Sequence, residues 1–225
     1  MDYAKIEKEV RLLQYELWTC AKNKYATGVP PLAQIFDPRA AAAFFGYSYD
    51  ILPDLRFGFL GQEEPFEAAG IIDHESQQIY ISGRFPYTTQ RFTGAHEIGH
   101  LRLHPGLRHH RDRPTTGTQT NRSLQEREAD YFAACFLAPK KQVRDAFIAR
   151  FGEPPQALTE RLAGLLKGAH AHELLNAPTG SLELELAFAT AKRFGTKQFH
   201  SMSTEFGLSH TAMALRIREL GLATY

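Results

Sequence analysis

Apolar residues recur at helical spacing over the first part of the chain. From residue 3 to residue 23 they are separated by three or four positions, and the run ends at Gly-Val-Pro-Pro, residues 28–31. This spacing predicts an amphipathic leading helix that the Gly and Pro residues terminate. One or two short helices are expected over residues 31–45, with Asp37 before Pro38 as a helix start.

The pattern then changes to short apolar runs bounded by turn-forming residues. Such runs predict strands, and the last two are expected to form a hairpin through residues 74–77. The predicted strands are residues 55–60, 68–73 and 78–82. Helical spacing returns at about residues 88–103. Residues 105–122 are polar, basic and rich in Thr and Gly, which predicts a mobile loop near a cleft.

The C-terminal part of the chain is dominated by helical patterns. Helices are predicted from Ser123 onward and over residues 140–151, 158–176 and 181–194. Within residues 197–222, two further helices flank Gly207-Leu208-Ser209 with the spacing of a helix-turn-helix. The sequence therefore predicts an α+β fold with a small sheet in residues 1–139 and a helical extension in residues 140–225.

The composition is that of an ordinary globular protein. The 225 residues are 43% apolar and 23% charged, and the net charge of +1 gives no global electrostatic argument for nucleic-acid or membrane binding. Cys20 and Cys135 do not make a disulfide framework, and Cys135 is expected in the core. Because neither a signal-like start nor a long apolar run is present, we expect a cytoplasmic protein with no membrane partner.

Residues 96–100 read His-Glu-Ile-Gly-His, an H-E-x-x-H pattern near the end of a predicted helix. His96 and His100 are about 40° apart around a helix, so both imidazoles can reach one ion. Neutral imidazole suits Zn²⁺, and Glu97 flanks the same face, where a carboxylate can act as a general base. The pattern predicts a zinc site that still needs a third protein ligand.

Acidic residues follow at helical spacing further along the chain. Glu126 and Asp130 share one face, so Glu126 can complete a His₂Glu ligand set while Asp130 accepts a hydrogen bond from the far nitrogen of a ligand histidine. Glu128, about 200° from Glu126, is expected to face elsewhere. Two simpler readings remain: a solvated acidic helix start, and a capping box with Ser123. Ligation is favoured, with Ser123 capping the helix alone.

Both segments match the pattern of a known family. Phe-Thr-Gly-Ala-His-Glu-Ile-Gly-His at residues 92–100, with Leu-His at 103–104, is followed by Glu-x-Glu-Ala-Asp-x-Phe-Ala-Ala-x-x-Leu-x-Pro at 126–139. Together they resemble the ImmA/IrrE family of bacterial and phage zinc metallopeptidases. The similarity covers about residues 35–139 and, more loosely, 208–222. It implies a gluzincin-like small β-sheet with active-site helices, Zn²⁺ held by His96, His100 and Glu126, and Glu97 as the general base.

The resemblance also implies a partner. Family members cleave or inactivate a helix-turn-helix repressor, which induces a mobile element or a stress response. The expected function is therefore zinc-dependent cleavage of a specific protein partner, a helix-turn-helix repressor. Residues 140–195 depart from the family pattern, because they are longer and more helical than expected between its two matching segments.

Other polar residues near the motifs have simpler explanations. His104 is expected to be structural, because a metzincin third ligand would fall at Gly106. His109 and His110 are expected to be solvated loop residues, with oxyanion stabilisation as the alternative. The sequence does not rank three further candidates for oxyanion stabilisation, which are Tyr80, Arg122 and Tyr131.

Two alternative functions remain. The segment 197–222 offers Arg216 and Arg218 to phosphates, which would suit a DNA-binding regulator, although its apolar positions equally describe a packed helical hairpin. A non-catalytic protein could instead use the zinc fold only to inactivate its partner by binding. Turnover with and without Glu97 separates the second alternative from an enzyme.

Overall fold

The computed structural model of the chain describes residues 1–24, 28, 32–53, 55–57, 66–105, 109–112 and 123–225. The fold is mixed α+β, as the sequence predicts, and it comprises two compact units, Met1–Leu137 and Ala138–Tyr225. Residues 58–60 of the first predicted strand and most of the predicted loop 105–122, including Arg122, lie outside the described residues.

Helices and short strands alternate in the first unit. In chain order they are α1 (Tyr3–Lys24), α2 (Leu32–Ile35), α3 (Pro38–Phe44), β1 (Ser48–Leu52), β2 (Arg56–Phe57), β3 (Phe66–Glu67), β4 (Gly70–Asp73), β5 (Gln78–Ser82), α4 (Tyr87–Leu103), β6 (His109–Asp112) and α5 (Leu124–Leu137). The leading helix is confirmed, and Asp37 caps α3 by accepting a hydrogen bond from the backbone N–H of Arg39 at 2.9 Å.

A four-stranded sheet has the strand order β1-β5-β4-β6. Strands β4 and β5 form the predicted antiparallel hairpin, β1 lies parallel to β5, and β6 lies antiparallel to β4. The sequence pattern missed β1 and β6. The prediction of a loop through residues 105–122 was wrong for residues 109–112, because backbone pairing at a sheet edge does not require apolar side chains.

Helix α4 contacts both the sheet and α5, and residues 93–100 of this helix are all buried. The contact with α5 depends on Gly99. A Cβ at Gly99 would lie 3.1 Å from the Cα of Ala129 and 3.2 Å from Phe132 Cδ1. The two helices therefore approach with almost no side chain between them at this point, which brings the polar residues on either side within reach of each other.

Helix α1 fixes the far ends of α4 and α5. The Arg102 guanidinium forms ion pairs with Glu9 (2.9 Å) and Glu16 (3.3 Å). The Gln14 side-chain amide donates to the backbone carbonyls of Cys135 (3.3 Å) and Phe136 (3.1 Å). Cys135 itself is buried, as expected.

The second unit is mainly helical, with short strand pairs. Its elements are α6 (Lys140–Phe151), β7 (Gln156–Ala157), α7 (Glu160–Lys167), a 3₁₀ turn (Gly168–His170), α8 (Ala171–Leu175), α9 (Glu183–Thr190), β8 (Arg193–Phe194), β9 (Lys197–Gln198), α10 (Met202–Phe206), α11 (His210–Glu219) and β10 (Ala223–Thr224). Phe147 and Phe188 are fully buried, with ring centroids 4.9 Å apart.

Two helix predictions in this unit were wrong in extent. The helix predicted for 158–176 is interrupted at Gly168, whose φ of +58° is left-handed. The helix predicted for 181–194 ends at Thr190, and the chain then forms the β8–β9 hairpin through Gly195, also at φ +58°. Glycine adopts this conformation at little cost, so it breaks a helix whose apolar spacing would otherwise continue.

Two helices flank Gly207-Leu208-Ser209 as predicted, with α10 ending at Gly207 (φ +62°) and Ser209 capping α11. Both of its arginines contact other residues of the same unit. Arg216 is 4% exposed and donates to the Ala138 carbonyl at 3.0 Å, and Arg218 pairs with Glu185 at 2.8 Å. The burial of Arg216 therefore contradicts the alternative in which it contacts phosphates, whereas Arg218 is exposed.

Among the described residues, no helix has both the length and the apolar character that a membrane span requires.

Candidate metal centre

The two histidines of the H-E-x-x-H motif lie one turn apart on the buried face of α4. Helix α4 begins after Pro86, whose carbonyl accepts from the N–H groups of Thr89 (2.9 Å) and Gln90 (3.0 Å). His96 is 2% exposed and His100 is 3% exposed. Their Nε2 atoms lie 2.9 Å apart, so both rings direct the same nitrogen to one point.

Glu126 reaches that point from the first turn of α5. The hydroxyl of Ser123 accepts a hydrogen bond from the Glu126 N–H at 3.2 Å, so Ser123 caps the helix. The Glu126 carboxylate places Oε2 3.4 Å from His96 Nε2 and Oε1 3.5 Å from His100 Nε2. The structure therefore brings together the three residues that the sequence suggested as ligands.

The spacing of these three donor groups fits a zinc ion. Bonds of about 2.0–2.1 Å in a tetrahedral site put neighbouring ligand atoms about 3.3 Å apart. The measured separations are 2.9, 3.4 and 3.5 Å. Two imidazoles and a carboxylate are also the donor set that catalytic zinc sites use.

The Asp130 carboxylate contacts the His96 ring. Its Oδ1 lies 2.9 Å from His96 Nδ1, the nitrogen that faces away from the candidate site, as the sequence suggested. A neutral His96 that donates from Nδ1 carries a lone pair on Nε2. That lone pair points at His100 Nε2, an arrangement that a bound cation stabilises.

His104 and Glu128 extend the site on its other side. His104 caps the C-terminus of α4, with Nδ1 3.2 Å from His100 Nδ1 and Nε2 3.1 Å from Glu128 Oε2. Glu128 does not join the three candidate ligands, but the sequence did not predict its contact with His104 of α4. The helices are so close at Gly99 and Ala129 that acids on both sides of the α5 contact face can reach residues of α4.

Glu97 is fully buried beside strand β4. A Cβ at Gly70 would lie 2.6 Å from Glu97 Oε1 and 2.6 Å from Thr93 Cγ2. Gly70 therefore leaves the space that the Glu97 carboxylate occupies. The sequence interpretation missed Gly70, since a single Gly before an apolar strand has many simpler explanations.

The residues that the sequence suggested for oxyanion stabilisation are not among the three candidate ligands. The Tyr131 hydroxyl donates to Glu7 on α1 at 2.9 Å, which makes it a contact between α5 and α1. Tyr80 lies on β5, where it is opposite Ile71 of β4. The side chains of His109 and His110, and all of Arg122, lie outside what the structure describes.

Comparison with known proteins agrees with this geometry. The family model described as Peptidase_M78, the IrrE N-terminal-like domain, matches residues 60–162. Residues 60–162 are therefore similar to the IrrE N-terminal-like domain. The resemblance to the ImmA/IrrE family is thereby confirmed, and the matched range contains all the residues of the candidate centre. No curated protein matches the chain.

Proposed function

We propose that this protein is a zinc-dependent endopeptidase with a specific protein substrate. The observation that carries the proposal is the convergence of His96, His100 and Glu126, with Glu97 buried beside the two histidines on the same helix. We further propose that residues 1–139 form the peptidase domain and that residues 140–225 are an appended helical domain ending in the helix-turn-helix-like segment.

The roles of the chain's own residues follow from their positions. His96, His100 and Glu126 would hold Zn²⁺, and Asp130 would keep the His96 ring in the orientation and tautomer that binding requires. A bound zinc ion supplies Lewis acidity that polarises a scissile carbonyl. Glu97 takes the proton of the attacking water and delivers it to the leaving nitrogen. Burial of Glu97 keeps bulk water from competing for that proton.

Metal analysis of purified variants tests the ligand set. His96→Ala, His100→Ala and Glu126→Ala are expected to lose stoichiometric zinc, because a site with three protein ligands does not easily spare one. Arg127→Ala is the matched control, since Arg127 is the exposed neighbour of Glu126 and should leave zinc content unchanged. Full zinc loading of Glu126→Ala with unchanged affinity would remove Glu126 from the set.

The variant Glu97→Gln separates chemistry from structure. It keeps the size and hydrogen-bonding ability of the side chain but loses its basicity, so it is expected to fold and bind zinc while cleaving at least about 100-fold more slowly. Near-normal turnover would exclude Glu97 as the general base.

For the substrate we propose a helix-turn-helix repressor whose cleavage relieves repression in a stress or mobile-element response. The family resemblance supports this class, and we expect the protein to act in the cytoplasm. A single cut in an exposed loop or linker is expected, since the scissile segment must be extended to enter a cleft.

Co-incubation with repressors encoded beside the gene, with and without chelator, tests this substrate class. Chelator-sensitive cleavage at one position is the expected result. If zinc-loaded protein left the cognate repressor intact while relieving repression in cells, and Glu97→Gln relieved it equally well, a non-catalytic binding mechanism would replace the enzyme.

A further inference from the structure

The two candidate histidine ligands are held differently on the sides that face away from the metal site. His96 Nδ1 contacts the carboxylate of Asp130 directly. His100 Nδ1 instead contacts His104 Nδ1 at 3.2 Å, and the opposite nitrogen of His104 lies 3.1 Å from the Glu128 carboxylate. The His104 side chain is 10% exposed and that of Glu128 is 21% exposed, so this chain of contacts is largely shielded from water.

Only one arrangement of protons suits this chain when His100 binds a metal. A ligand imidazole uses the lone pair of Nε2, so its proton is on Nδ1 and is donated. His104 Nδ1 must then accept, which puts the proton of neutral His104 on Nε2. That N–H points at Glu128 Oε2, an acceptor that carries a negative charge. Every donor in the chain therefore faces an acceptor.

We propose that His104 and Glu128 are a positioning pair for His100, in which the Glu128 carboxylate orients His104 and His104 fixes the ring and tautomer of His100. The inference rests on the proposed zinc site. It gives each histidine ligand a carboxylate partner: Asp130 acts directly on His96, and Glu128 acts on His100 through an intervening imidazole.

The position of His104 explains why an imidazole is needed there. His104 is the C-cap of α4, with φ −129° and ψ 53°, so its backbone has left the helix while its N–H still donates to the His100 carbonyl at 2.9 Å. Glu128 is on the opposite flank of the α5 contact face from Glu126. The imidazole of His104 spans the distance between that flank and His100.

Zinc affinity measured by chelator competition tests the pair. His104→Ala and Glu128→Ala are each expected to weaken zinc binding by about 10- to 100-fold, the usual effect of losing the partner of a ligand histidine. Because Glu128 acts only through His104, the double variant is expected to bind no more weakly than His104→Ala. Glu128→Gln retains an acceptor oxygen and is expected to recover most of the affinity. The absorption spectrum of the Co²⁺-substituted protein should shift in the single Ala variants.

Arg102→Ala is the matched structural control. Arg102 lies in the last turn of α4, and its ion pairs are with Glu9 and Glu16 of α1 rather than with a histidine ring. The variant removes both ion pairs. It is expected to lower the melting temperature of the metal-free protein while leaving zinc affinity and the Co²⁺ spectrum unchanged. A melt of each metal-free variant verifies that it is folded.

Three outcomes overturn the inference in different ways. Unchanged zinc affinity in His104→Ala and Glu128→Ala, with zinc lost from His96→Ala, would refute the positioning pair and leave the proposed function standing. Additive losses in the double variant would refute the relay through His104. If the wild-type chain bound no zinc, the proposed function and the pair would both fail.

Discussion

Replacing Gly70 by alanine is expected to displace the Glu97 carboxylate without disturbing the candidate ligands. The backbone of Gly70 is not in the left-handed region, so alanine is compatible with its conformation. The added methyl group would lie 2.6 Å from Glu97 Oε1 and 2.6 Å from Thr93 Cγ2. The perturbation is therefore a steric one, directed at the proposed general base.

The size of the effect follows from the required displacement. Ordinary contact between heavy atoms begins at about 3.5 Å, so the carboxylate oxygen must withdraw by about 1 Å. Glu97 is fully buried, so this movement must take place within the protein interior. Misplacement of a reacting group by about 1 Å costs about 100-fold in rate. We therefore expect kcat to fall by about 100-fold in Gly70→Ala.

The assay compares the cleavage rate of the proposed repressor substrate with the zinc affinity of the same preparation. Zinc affinity should stay within about 3-fold of wild type. The atoms nearest the new methyl group belong to Glu97 and Thr93, and neither residue is a proposed ligand. Gly164→Ala is the control, since a Cβ there meets nothing within 4 Å. Normal turnover by a folded Gly70→Ala protein would show that the position of Glu97 tolerates this shift, and the reasoning would be refuted.

Two further predictions concern the contact of Asp130 with His96 and the loss of folding stability at alkaline pH. Asp130→Ala should weaken zinc binding by about 10- to 100-fold in chelator competition, because His96 loses its hydrogen-bond acceptor; unchanged affinity would exclude that role. Burial, followed by the carboxylate of Asp37, raises the pKa of Tyr49 above its ordinary value of 10.0. The folded state therefore holds this proton more tightly than the unfolded state, and the stability that results is lost as the pH rises above about 10. Tyr49→Phe should lose less unfolding free energy than wild type between about pH 9 and 11 in urea denaturation, and equal losses would contradict the assignment.

The sequence predicted the elements in which an apolar repeat continues over several turns, and those whose first residues carry a helix-start signal. The 22 residues of α1 repeat an apolar stripe over several turns, and Asp37 before Pro38 marks the start of α3. Strands β1 and β6 escaped prediction because each pairs along one edge of the sheet, where backbone hydrogen bonds supply the stabilisation. The breaks at Gly168 and Gly195 were not predicted, because the apolar spacing continues across both glycines while their backbone leaves the helical conformation.

Spacing along the sequence predicted those residues of the candidate site that share one face of a single helix. His96 with His100, and Glu126 with Asp130, are i, i+4 pairs, and the structure brings the four together. Gly70 could not be found in this way, because its importance comes from the passage of β4 beside Glu97. No periodicity along the chain contains that information.

Glu128 shows why angular spacing alone misleads at a helix contact. At about 100° per residue, Glu128 is about 200° from Glu126 in one direction and about 160° in the other. The buried stripe of α5 lies within the shorter arc; it comprises Ala129, Phe132, Ala133 and Phe136. Glu126 and Glu128 therefore flank the same interface from opposite sides, and the glycine contact at Gly99 lets both reach α4. A large angle between two side chains of a helix thus predicts that they act on different neighbours only when the face between them is exposed to solvent. When that face is the contact with another helix, the residues on its two edges are the ones that can act on that neighbour together.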